Sequence, residues 1–287
     1  MIELLGATIA VIGTAVVAYT DWKTGYMPDR YTHALILLGA ILLPFYHGIP
    51  YAVSGYATAA VVFGVCFVLY TLGQLGGGDV KLFTALALLI PTYPTKLAAL
   101  GFQPVTAPYP FVLSVFFGAA VLAMLFVSLG YMVRLYKRRR KIRHFRKKTI
   151  KGAAFALLLL PLAAAWAYIN PNMVVVIVPM AAGAFVLAFK DDILRLFIVK
   201  KKKVSELNED DVIATELIPK KTLKQLGIGV RKTFLDAELP EIKKSAKRHG
   251  IKEIWVSEYL PRFGPYLLAS LLLNLALGDA LLWLLFA

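Results

Sequence analysis

Long apolar runs separated by short polar breaks fill most of the chain. Because a helix needs about 20 apolar residues to cross a bilayer, each long run predicts a membrane helix. The segment from 79 to 91 is short for a full span, so it is expected to form a partial or tilted helix. The predicted helices are residues 2–20, 31–46, 54–75, 79–91, 111–134, 151–169, 173–189 and 264–286.

One long polar stretch, residues 190–262, interrupts this pattern. It holds 12 of the 17 acidic residues of the chain, and it predicts a small domain that lies outside the membrane. The sequence therefore indicates an all-α polytopic membrane protein with about eight transmembrane helices and a small cytoplasmic domain. The expected divisions are a membrane core (1–135), a basic loop (136–150), a hairpin (151–189), the polar segment (190–262) and a C-terminal helix (263–287).

Basic residues are distributed unevenly, and the formal net charge of the chain is +15. Nine of the twelve residues in KRRRKIRHFRKK (137–148) are Lys or Arg, directly after an apolar run. Such a run favours the cytoplasmic side and attracts anionic lipids of that leaflet. Both chain termini are then expected outside. No nucleic-acid partner is expected, because neither interleaved aromatic residues nor a recognition fold accompanies the charge.

Only five acidic residues lie outside the polar segment, and two of them are predicted to meet. Asp21 ends the first apolar run, and Asp79 begins the fourth after two further crossings. Both carboxylates are therefore expected at similar depth on one side of the bilayer. Two carboxylates that share a site cannot both ionise cheaply, so the pair is expected to hold one proton. Such a pair can activate a water and polarise a carbonyl.

Three glycines precede Asp79 in the sequence LGGGDVKL. Gly76, Gly77 and Gly78 are expected to allow positive φ angles and the close approach of a substrate backbone. The alternative is an ordinary interfacial turn in which Asp79 caps the following helix. Lys81 is either a headgroup anchor or a group that tunes the carboxylate pair. Asp29 is expected to cap the second helix rather than to catalyse.

These motifs together resemble the GxGD aspartyl proteases of the type IV prepilin peptidase family, in particular archaeal preflagellin and prepilin peptidases. The stretch DWKTGYMPDRYT begins with the first aspartate, Asp21, and carries the Pro-Asp pair of that pattern at Pro28 and Asp29. LGGGDVKL carries the GxGD motif with the second aspartate, Asp79, followed by Lys81. The C-terminal stretch EIWVSEYLPRFGPYLLASLLLNLALGD is also similar to the end of the archaeal members.

The resemblance implies an aspartic endopeptidase that removes a short basic leader from archaellin or type IV pilin-like precursors at the cytoplasmic interface. It implies Asp21 and Asp79 as catalytic residues, no metal or organic cofactor, and a six-helix core to which residues 151–189 are an addition. Two other hypotheses stay open: a proton- or cation-coupled transporter that uses the same carboxylates, and a silent scaffold that binds anionic lipid. A carrier predicts carboxylates near the bilayer midplane, whereas a protease needs them at the interface. The sequence leaves the oligomeric state open.

Overall fold

The structure is a computed structural model that describes residues 2–94, 97, 107–169, 172, 174–208, 211–228, 239–257, 262–280 and 282. The helices are α1 (Ile2–Thr24), α2 (Asp29–Leu42), α3 (Pro44–His47), α4 (Ile49–Thr71), α5 (Gly77–Leu89), α6 (Phe111–Lys137), α7 (Phe145–Leu157), α8 (Leu160–Ile169), α9 (Val174–Leu187), α10 (Lys190–Ile193), α11 (Lys220–Gln225), α12 (Leu239–Arg248) and α13 (Gly264–Leu277). The strands are β1 (Val199–Lys203), β2 (Val212–Ile213) and β3 (Glu253–Ser257).

Three helices in the described part of the chain are long and apolar enough to cross a membrane: α1, α4 and α6. The segment made of α9 and residues Lys190–Ile198 qualifies as a fourth, although it is bent by 76°. α13 is apolar but has only 14 residues. These helices are consistent with the predicted polytopic membrane protein. The predicted number of eight spans is not confirmed.

Several predicted helices are interrupted, and proline or glycine stands at the breaks. α2 ends at Leu42, immediately before the short α3 that begins with Pro44. The predicted span 151–169 is divided between α7 and α8, and Pro161 lies in the first turn of α8, where its missing N–H costs little. α13 ends at Leu277 because Gly278 adopts a φ of 83°.

The short helix α5 forms the centre of the bundle. It contacts α1, α2, α4 and α6, and its apolar side chains are almost completely buried from Val80 to Leu89, including Phe83 at 1% exposure. A helix that is apolar around its whole circumference is expected to be surrounded by other protein. α5 is therefore enclosed by longer helices and does not face lipid on a broad side.

Contacts at the C-terminal end of α5 show where this helix lies relative to α1 and α3. The hydroxyl of Tyr46 donates to the carbonyl of Leu89 at 2.8 Å, and a Cβ on Gly6 would lie 2.8 Å from the same oxygen. The C-terminal end of α5 thus lies at the N-terminal end of α1. At the other end, Asp79 at the start of α5 is near enough to Asp21 at the end of α1 for their charges to interact, so the two helices run antiparallel.

The polar segment contains β-structure, so the all-α expectation is wrong there. β1, β3 and β2 form an antiparallel sheet in that order, with Lys200 opposite Val256 and Ile213 opposite Val256. Along β3, Ile254 and Val256 are buried while their neighbours are more exposed. That alternation has the period of two that predicts a strand. Together with α12, the sheet encloses a hydrophobic core separate from that of the bundle.

Helix α9 packs against both α7 and α6. A Cβ on Gly152 of α7 would lie 2.7 Å from the carbonyl oxygen of Phe185 in α9, so these two helices are in close contact. α9 also lies against α6, where Gly183 faces Met124. An ion pair between Lys148 and Asp192 connects the basic loop to the start of the polar segment.

We expect Phe83→Ala to destabilise the bundle by roughly 3 kcal/mol, because it leaves a cavity in the central helix. The Phe83 ring contacts the rings of Phe116 and Phe263 at centroid distances of 5.2 and 6.1 Å. The matched control is Phe45→Ala, since Phe45 is 64% exposed. The measurement is the free energy of unfolding in mixed detergent–lipid micelles, and equal losses in both variants would contradict the central place of α5.

Candidate active site

Asp21 lies in the last turn of α1, one turn before the helix ends. Its backbone carbonyl accepts a hydrogen bond from Gly25 at 2.8 Å, and Gly25 has a φ of 73° that terminates the helix. The side chain is 5% exposed. Its Oδ2 accepts a hydrogen bond of 2.9 Å from the backbone N–H of Gly264, the first residue of α13. The carboxylate therefore lies between α1 and the start of α13.

Asp79 lies in the first turn of α5 and is 8% exposed. Its Oδ2 accepts a hydrogen bond of 3.0 Å from the backbone N–H of Gly76, which is half of the reciprocal pattern known as a capping box. Its Oδ1 is buried and has no hydrogen-bond partner among the described residues. Buried polar atoms nearly always have a partner, so this oxygen is available to a substrate or a water.

The two carboxylates occupy the same end of the bundle, as the sequence predicts. The charge of Asp21 is close enough to act on Asp79 electrostatically. Each carboxylate is held through Oδ2 by one backbone N–H from the beginning of a helix. We call Asp21 and Asp79 the dyad.

The glycines before Asp79 do not adopt the positive φ angles expected from the sequence. Gly76 is extended, with φ −79° and ψ 154°, and Gly77 and Gly78 form the first turn of α5. Their roles are steric instead: a Cβ on Gly78 would lie 2.6 Å from the Cβ of Met27, whereas one on Gly77 would meet nothing closer than the Tyr70 ring at 3.6 Å. In the structure, the group that comes close to these glycines is thus Met27 of the protein, whereas the sequence led us to expect a substrate backbone.

The Pro-Asp pair and Lys81 link the two motifs. Pro28 occupies the N-cap position of α2 and Asp29 is its first residue, so the expected capping role of Asp29 is wrong. Its carboxylate instead pairs with the Lys81 ammonium at 2.6 Å. Half of the Asp29 side chain is exposed, so the pair contributes about 1 kcal/mol at most. With the Met27–Gly78 contact, it fixes the start of α2 against the start of α5.

Sequence reasoning missed three residues beside the dyad: Met27, Arg262 and Gly264. Nη1 of Arg262 donates to the backbone carbonyl of Trp22. Gly264 is followed by a proline in the sequence FGPY, and a Gly-Pro step at the start of an apolar run indicates a helix N-terminus with little space for a side chain. Within the described ranges, no three His, Cys, Asp or Glu side chains come together as they would around a metal ion.

Comparisons with known proteins agree with this site. Residues 8–128, which contain both aspartates, match the sequence profile of the type IV leader peptidase family. The predicted resemblance is thereby confirmed: this part of the chain is similar to that family.

Two archaeal relatives are similar over part of the chain. Prepilin peptidase EppA of Methanothermobacter thermautotrophicus is 33% identical over 149 residues, which are 50% of this chain and 39% of that protein. Prepilin peptidase EppA of Methanocaldococcus jannaschii is 37% identical over 79 residues, which are 28% of this chain and 21% of that protein. The matched regions therefore span less than half the length of these relatives. No solved structure shows a significant match.

We expect Gly78→Ala to disturb the dyad, because the added methyl group would overlap with Met27 and push α5 away from α2. The double variant Gly78→Ala/Met27→Gly should recover part of the lost thermal stability, since glycine at position 27 removes the Cβ that the added methyl group would meet. Gly77→Ala is the matched control and should be neutral or stabilising by up to about 1 kcal/mol, as alanine favours a helix. A Gly78→Ala variant as stable as the wild type would show that the contact with Met27 is not restrictive.

Proposed function

We propose that this protein is an aspartic endopeptidase of the GxGD type that removes leader peptides from type IV pilin-like precursors. The observation that carries the proposal is the pair of buried carboxylates within the matched region, Asp21 and Asp79, at one end of the bundle. Their location at helix ends favours hydrolysis over the carrier hypothesis, which calls for charges nearer the middle of the spans.

The chemistry needs one proton shared by the dyad. The ionised carboxylate takes a proton from a water as that water attacks the scissile carbonyl carbon, and the protonated carboxyl donates to the carbonyl oxygen. When the tetrahedral intermediate collapses, the C–N bond breaks and the departing nitrogen receives a proton from the dyad. The N–H groups of Gly76 and Gly264 leave one oxygen of each carboxylate to face the reacting groups.

The proposed substrates are archaellin or pilin precursors, whose short basic leader is followed by an apolar helix. The bond between these two parts would lie at the cytoplasmic interface of the cell membrane, where we place the dyad. The basic run 137–148 would contact anionic lipids of that leaflet. Both chain termini would then lie outside, and residues 190–262 would be cytoplasmic.

We expect Asp21→Asn and Asp79→Asn each to abolish precursor cleavage, because an amide cannot serve as the general base. The assay is co-expression with pilin-like precursors and mass spectrometry of their N-termini. Asp279→Asn is the control: Asp279 is also buried, but it binds Ser114 at 2.6 Å near the N-terminal end of α6, outside the dyad. Normal cleavage by either folded dyad variant would overturn the proposal.

The proposed topology predicts which positions are accessible to a membrane-impermeant thiol reagent. In a Cys66→Ala background, a cysteine at position 103 should be labelled from outside intact cells, whereas one at position 208 should react only after permeabilisation. The reverse pattern would place the dyad on the wrong side of the membrane for removal of a cytoplasmic leader.

A further inference from the structure

The junction between the polar segment and α13 meets the last turn of α1. Arg262 and Gly264 both contact this turn although they lie about 240 positions further along the chain. Arg262 donates to the carbonyl of Trp22, and the Gly264 N–H donates to the carboxylate of Asp21. Two adjacent contacts thus connect the start of α13 to the residue proposed to catalyse.

The position of Asp21 makes these contacts necessary. Asp21 lies near the C-terminal end of α1, where the helix presents carbonyl oxygens and the negative end of its dipole. A carboxylate there finds no free N–H in its own helix and is repelled by those carbonyls. Asp79 differs, since it lies at the start of its own helix and takes its hydrogen bond from Gly76.

The start of α13 supplies the hydrogen-bond donor that the end of α1 cannot offer to Asp21. The N–H groups in the first turn of a helix have no partner within that helix, and the dipole there is positive. Arg262 adds a full positive charge that acts on Asp21 and binds one of the unpaired carbonyls at the end of α1. The hydrogen-bond donor thus comes from Gly264, the first residue of α13, and the positive charge comes from Arg262, two residues before it.

The start of α13 can lie this close to α1 because residue 264 is a glycine and has no side chain. A Cβ on Gly264 would lie 3.0 Å from Oδ2 of Asp21 and 3.1 Å from the Cα of Ala18. The second of these atoms is backbone, so a side chain at 264 would push α13 and α1 apart. The length of the hydrogen bond to Asp21 therefore depends on glycine at this position.

We propose that Gly264 and Arg262 are positioning residues for Asp21, so that the junction between the polar segment and α13 sets the geometry of the dyad. This inference rests on the proposed peptidase function. It makes one carboxylate of the dyad dependent on a segment outside the matched family region, which ends at residue 128. A movement of the polar segment would then act on Asp21 directly through Arg262.

The first test compares Gly264→Ala with Gly118→Ala, using purified protein in lipid and a synthetic precursor peptide. Gly118 is a matched control, because its added Cβ would crowd Ser270 on the same helix α13 at 2.4 Å, away from the dyad. We expect Gly264→Ala to lower kcat about 10²-fold with little change in KM, as a displaced catalytic group does. Gly118→Ala should keep its kcat. Equal kcat losses in both variants, or none in Gly264→Ala, would overturn the inference.

A second pair of variants keeps the test valid if Gly264→Ala does not fold. Arg262→Gln removes the positive charge, whereas Arg262→Lys retains it. We expect kcat and the pH–rate profile to change in Arg262→Gln and to be largely restored in Arg262→Lys. A role confined to packing predicts a loss of thermal stability in both variants and an unchanged pH–rate profile, and that outcome would contradict the inference.

A third readout does not depend on cleavage. A hydrophobic carbodiimide modifies protonated buried carboxyl groups, and mass spectrometry of the digested protein reports the pH range in which Asp21 reacts. We expect that range to shift in Gly264→Ala and to stay unchanged in Gly118→Ala. A wild-type protein that cuts no precursor would refute the proposed function, whereas an unshifted range in Gly264→Ala would refute the positioning role.

Discussion

A carboxylate buried within a helical bundle needs hydrogen-bond donors, and this requirement shapes the site. In a membrane protein, backbone N–H groups are free to donate only where a helix begins. Asp79 meets this requirement by lying in the first turn of α5, with Gly76 as its donor. Asp21 lies at the wrong end of α1 and depends on the start of α13, through Gly264. The site therefore exists only where two helices begin beside the end of a third.

Close packing of these helices follows from that requirement, and two glycines permit it. A Cβ on Gly78 would lie 2.6 Å from the Cβ of Met27, and one on Gly264 would lie 3.1 Å from the Cα of Ala18, closer than an ordinary van der Waals contact. Both contacts lie at the dyad end of the bundle. The central helix α5 is enclosed along its length, so a shift at its first turn would have to be accommodated by its neighbours, because packed interiors deform little.

Two independent observations support the proposed function. The family match covers the residues that carry both aspartates, and the structure brings those aspartates to one end of the bundle with an unpartnered oxygen on Asp79. The remaining 159 residues, from 129 onward, include α13, which completes the surroundings of Asp21. The polar segment is thus connected to the site through Arg262, which binds the carbonyl of Trp22.

The sequence by itself determined the membrane character and the approximate helices, because apolar length is a local property that can be counted along the chain. It also predicted that Asp21 and Asp79 lie on one side of the bilayer. The sequence did not predict the strand β3, because Ile254, Trp255 and Val256 are all apolar and the alternation appears only in their burial. Only the tertiary structure shows which contacts require glycine at positions 78 and 264, and which N–H groups bind the carboxylates of Asp21 and Asp79. The contacts Met27–Gly78, Asp29–Lys81 and Asp21–Gly264 join residues 51, 52 and 243 positions apart. No periodicity in the chain encodes such distances, since they depend on how whole helices pack.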